Sequence, residues 1–101
     1  PAIIFDEIDT GTSGEVADKV GSVMKMMSCE MQVIGITHLP QIASKGDAHF
    51  VVFKEEQDNS VVTGIRRVTG EERVNEIARM LSGAEITEQA VENARVMLET
   101  T

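Results

Sequence analysis

The sequence predicts an α/β fold: two parallel core strands joined by a crossover helix, with flanking helices and a helix pair at the C-terminal end. Three observations predict it. Ala2-Ile3-Ile4-Phe5 and residues 32–37 (QVIGIT) are short continuous apolar runs, the pattern of strands buried on both faces of a parallel sheet. Between them Val16, Val20, Val23, Met24 and Met27 recur at helical spacing. Strand, helix and strand span about thirty residues, the size of a βαβ unit, and the right-handed crossover of such units makes the strands parallel.

The first strand is stopped by acids, Asp6 and Glu7. Residues 9–14 (DTGTSG) have loop chemistry, and Ser13 suits the N-cap of the helix that follows, which fades near Ser28. The second strand ends in Thr37-His38, and Pro40 suits the first turn of a short helix running to Ala43. Residues 50–53 and 61–68 read as strands, with the polar run 55–60 (EEQDNS) as their hairpin connection. Thr69 and Glu72 have capping-box spacing; Val74, Ile77, Ala78 and Leu81 then share a face, and Gly83 stops the helix. Thr87 caps the last helix, Ile86 and Val91 are spaced for a hydrophobic staple, and Val91, Ala94 and Leu98 form the inner face.

A chain of 101 residues is one small domain or a piece of a larger one. An apolar run directly behind Pro1, with no leading Met, is what a cut inside a larger domain produces. Aromatic residues are 3%, with no Trp or Tyr, so the core is aliphatic and filled by Met24, Met26, Met27 and Met31, and base stacking is a poor fit. The net charge of −8 repels duplex DNA. DNA contact is therefore expected through other parts of the intact protein; Arg66-Arg67 is the only adjacent basic pair. The single Cys29 forms no internal disulfide, and no apolar run reaches membrane-spanning length, so a cytoplasmic protein without a membrane partner is expected.

The chemistry concentrates at the carboxyl ends of the two parallel strands, the edge where open α/β sheets bind ligands. Apolar residues followed by Asp6-Glu7 form a Walker B arrangement. The first carboxylate can hold a magnesium ion that bridges the β- and γ-phosphates, and the second can orient the attacking water. Two solvated acids at a strand mouth are the plain alternative. His38 stands at the same edge and can donate a hydrogen bond to a γ-phosphate oxygen; otherwise it caps the short helix at Pro40. Either feature alone arises by accident more readily than the pair one βαβ unit apart.

The runs IIFDEIDTGTSGEVA and ITHLPQIASKGDAHFVV closely resemble the C-terminal head segment of SMC-like bacterial DNA repair proteins of the ABC ATPase superfamily, and ERVNEIARMLSG resembles their terminal helices. The resemblance implies that residues 1–101 are the C-terminal part of an ABC/SMC-type P-loop NTPase head, with ATP and Mg2+ as cofactors. It implies Asp6 as the Walker B magnesium residue, Glu7 as the catalytic carboxylate and His38 as the switch histidine. Residues 9–14 resemble the D-loop, which adds Asp9 and Ser13 to the nucleotide side; Thr12 stands where the family pattern carries valine. It also implies a head–head homodimer around two ATP molecules, recombinational repair of double-strand breaks, and a nucleoid-associated place in the cytoplasm.

The phosphate loop is missing: no G-x-x-x-x-G-K-[ST] occurs in the chain. ATP hydrolysis is thus expected only with the N-terminal half of the head as partner. Residues 81–85 (LSGAE) imitate the ABC signature but lie far downstream of Asp6, between two helices, where Ser82-Gly83 is a helix stop. His49 is expected to be structural. A second reading is a non-catalytic interaction or dimerisation module whose acids and His38 only shape a surface. A receiver-type phosphorylation domain is set aside, because it needs a phosphoacceptor Asp where Thr37 and His38 stand.

Overall fold

The structure, a computed structural model, describes residues 1–6, 14–83 and 85–99. The elements run β1 (Ala2–Asp6), α1 (Gly14–Met27), β2 (Gln32–Ile36), α2 (Pro40–Ala43), β3 (His49–Gln57), β4 (Ser60–Val68), α3 (Gly70–Ser82) and α4 (Glu88–Glu99). This is the order expected from the sequence.

β1 and β2 pair in parallel, with Ala2 opposite Gln32 at one end and Asp6 opposite Ile36 at the other. Ile3, Phe5 and Val33 share one face and are half-buried. α1 lies on that side, and Gly35 makes room for it: a Cβ there would stand 2.6 Å from Met24 Cε. The other face, Ile4, Ile34 and Ile36, is exposed. The expectation of burial on both faces is thereby corrected. A sheet face is buried only by a layer packed on it, and among the described residues this face has none.

β3 and β4 form an antiparallel hairpin, paired from His49 opposite Val68 to Gln57 opposite Ser60. Asp58 (φ 45°) and Asn59 (φ 68°) make its turn, the two positive φ values that a right-twisted two-residue hairpin requires. The connection is thus shorter than the polar run 55–60 suggests. Both faces of the hairpin's outer half are open to solvent, so polar residues occupy strand positions there without cost. Phe53 is paired with Gly64, and its ring lies where a side chain would stand: a Cβ on Gly64 would meet Phe53 Cζ at 2.4 Å.

The core is the seam between α3 and α4, where Val74, Ile77, Ala78, Ala90 and Ala94 are buried and Ala43 of α2 packs against them. Small residues on α4 let the helices approach closely. The seam takes up Ile77 and Ala78 and leaves Leu81 at its rim, exposed rather than inside. Met26 is also outside, 73% exposed on the side of α1 away from the sheet, so the methionine cluster only partly fills the core. At the start of α4 the Thr87 Oγ1 accepts the Ala90 N–H at 3.1 Å, the expected cap. The capping box at α3 does not form, because Thr69 makes no side-chain cap bond. Glu72 instead accepts a 2.6 Å bond from Arg66 Nη1 of β4, a cation that outbids a neutral backbone N–H for the carboxylate. Gly83 ends α3 at φ 82°, donating its N–H to the Arg79 carbonyl at 2.9 Å. Among the described residues no helix is long and apolar enough to cross a membrane.

Candidate functional site

The parallel register brings two of the predicted residues to one rim. Asp6 is the last residue of β1 and lies opposite Ile36, the last of β2, so Thr37 and His38 leave the sheet beside it. Asp6 and His38 are both exposed. Asp6 follows Ile4 on the uncovered face, by the alternation of side chains along a strand. Glu7, Asp9 and Ser13 lie outside the described residues.

The step out of β2 is shaped locally. Thr37 Oγ1 accepts the Leu39 N–H at 3.0 Å, a side-chain turn that bends the backbone around His38. Pro40 then opens α2 at its first position, with φ already suited to a helix. α2 is pressed close to α1 at Gly21, where a Cβ would come within 3.1 Å of the Gln41 carbonyl oxygen. The Gln41 carboxamide in turn lies against the start of α1: a Cβ on Gly14 would be 3.1 Å from Nε2. The helix that follows residues 9–13 therefore begins beside the helix that follows His38.

As a magnesium site the described donors fit one role. No group of three or more His, Cys, Asp or Glu side chains is gathered to form a cage among the described residues. Mg2+ does not need one, since it keeps several waters and takes one or two carboxylates together with substrate phosphates. Asp6, an exposed hard oxygen donor at the rim, suits that chemistry.

Behind the rim lies a group that spacing in the sequence does not reveal. Arg73 of α3 donates through Nη2 to the carbonyls of Gly46, Ala43 and Ser44, at 2.7, 3.2 and 3.4 Å. Burial pulls its pKa below the usual arginine value, and nearby Asp47 opposes the shift. His49 sits close by, half-buried, with its Nδ1 buried and unpartnered. Burial, and then the charge of Arg73, lower its pKa, against an opposite pull from Glu76. His49 is thus held neutral inside the fold, in keeping with a structural role.

No family model matches the sequence. The chain is 47% identical over 98 residues to the DNA repair protein RecN of Rickettsia bellii (strain RML369-C), 43% to that of Halalkalibacterium halodurans and 40% to that of Bacillus subtilis (strain 168). Each match takes in 97% of this chain but only 17–18% of the relative's length. In fold it is similar to a solved SMC ATPase chain, from work on ATP-driven dimerization and DNA-stimulated activation of such ATPases. That match has a TM-score of 0.65 at 20% identity and covers 84% of this chain and 50% of the other. Almost the whole chain is thus similar in sequence to one segment of RecN proteins, and in fold to half of a solved SMC ATPase chain.

Proposed function

We propose that this segment supplies the hydrolytic side of an ATPase head in a RecN-like protein acting in recombinational repair of DNA double-strand breaks. Asp6 holds Mg2+, which when bound screens the charge of the β- and γ-phosphates. Glu7 accepts a hydrogen bond from the attacking water and turns its lone pair toward phosphorus. His38 donates to a γ-phosphate oxygen, where negative charge gathers. Asp9 and Ser13 belong to a D-loop running along the interface of a head–head homodimer. The phosphate-binding loop comes from the N-terminal half of the same head, so the segment alone is inactive. The protein works in the cytoplasm at the nucleoid, and DNA is engaged by parts less acidic than this one.

The observation that carries the reading is the register of β1 against β2, with Asp6 opposite Ile36 and His38 two residues further on. The exposed apolar face of Ile4, Ile34 and Ile36 also supports it, since the other half of a head would cover that face. The same exposed surface favours the second reading, a non-catalytic interaction module. Glu7→Gln in the full-length protein separates them. Loss of ATP turnover with nucleotide binding retained is expected; turnover at the unaltered rate favours the interaction module.

A further inference from the structure

The stretch after His38 is held from two sides. α2 begins only two residues beyond His38, and its backbone abuts α1 at Gly21. Lys45 Nζ lies 2.9 Å from Asp18 Oδ1, and Lys25 Nζ lies 2.5 Å from Asp47 Oδ1, tying the same stretch to α1. From the other side Arg73 of α3 spans the carbonyls of Ala43, Ser44 and Gly46. Carbonyls at the end of a helix have no partner inside it, and these lie beside Ser44, which is 2% exposed. The Ala43 carbonyl also accepts the Gly46 N–H at 3.4 Å, and Gly46 is open to solvent, so the guanidinium adds a shared tether across the three carbonyls. All three bonds come from the one nitrogen Nη2 at the tip of the side chain, which the shorter, more flexible stem of a lysine does not hold at the same place.

We propose that Arg73 is a positioning residue for His38: it locks α2 against α3, and the start of α2 determines where the imidazole stands at the rim. The proposal rests on the reading of His38 as the donor to the γ-phosphate. A purely structural Arg73 would act on stability and on turnover whether or not the imidazole is present. A residue acting through His38 loses its effect on turnover once the imidazole is gone.

The test is a double-substitution cycle in the full-length protein carrying this segment, with kcat and KM for ATP measured for R73K, R73Q, H38A and R73K/H38A. R73K is expected to lower kcat on the order of tenfold, as a catalytic group set slightly out of place does, with KM little changed. The double variant is expected to match H38A alone. R73Q is run through the same cycle at a temperature where circular dichroism shows it folded, so the comparison survives if one variant is unstable. If H38A is slow and R73K turns over at the unaltered rate, the positioning role is overturned while the reading of His38 stands. An equal loss from R73K with and without the imidazole overturns it as well. Unaltered turnover by H38A overturns the reading of His38, and the role of Arg73 with it.

Discussion

Asp6 stands opposite Ile36 in a parallel pair, so a carboxylate ending one strand and the Thr37-His38 step leaving the next share a single rim. A shift of pairing by one residue would turn Asp6 to the other face of the sheet. Both faces of β1 are otherwise apolar, so the residue that distinguishes the registers is Asp6, whose carboxylate such a shift would carry to the side covered by α1 at a cost in desolvation.

The helix pair should carry much of the segment's stability. Ile77 is fully buried at the centre of the α3–α4 seam. Ile77→Ala is expected to cost about 2–5 kcal/mol, and Ile77→Val about 0.5–1.5 kcal/mol, read as denaturant midpoints with unchanged slope.

Two threonines at helix starts should behave differently. Thr87 accepts the Ala90 N–H, whereas Thr69 makes no side-chain cap bond. Thr87→Ala should cost about 1 kcal/mol, and Thr69→Ala much less. Equal losses in thermal melts would contradict the caps as described.

Stability should fall on mild acidification, and His49 should account for part of the fall. Its folded-state pKa is held below the ordinary 6.5 by burial and by Arg73, with Glu76 opposing. Above pH 6.5 both folded and unfolded chains are neutral at this residue, and its contribution is fully present. As pH falls from there toward the lower folded-state value, the unfolded chain takes up the proton first and stability is lost. Asp47 and Glu71, whose pKa values are lowered by Lys25 and Arg95, add a loss at still lower pH. His49→Gln should flatten the stability profile between neutral pH and the carboxylate range, as measured by urea titration at several pH values.

The segment in isolation should self-associate. Ile4 and Ile36 on one sheet, and Phe50, Val52, Val61 and Ile65 on one face of the hairpin, are exposed apolar groups beside strand edges. Light scattering should show mass rising with concentration, and salt should not reverse it. A monodisperse monomer at high concentration would count against this.

Much of the fold is legible in the sequence, for identifiable reasons. Continuous apolar runs of strand length around a helical pattern leave little choice but a βαβ unit, and right-handedness then decides the rim on which Asp6 and His38 meet. The apolar run at Ala2-Ile3-Ile4-Phe5 also says that both faces are suited to burial, but not which layer covers them. The hairpin turn is harder to find, because Glu55, Glu56 and Gln57 sit in an exposed strand where polarity no longer marks a loop. The capping box is misread for a related reason: spacing puts Glu72 in reach of Thr69, but only the tertiary fold brings up Arg66. Arg73 is invisible in any pattern, since it binds backbone carbonyls, which every residue has.

The most direct measurement is ATP hydrolysis by this segment, alone and after mixing with the remaining half of the head. No turnover alone, turnover on mixing, and its loss on Asp6→Asn are the predicted results. Hydrolysis by the isolated segment, or a mixture indifferent to Asp6→Asn, would contradict a half-site built on this rim.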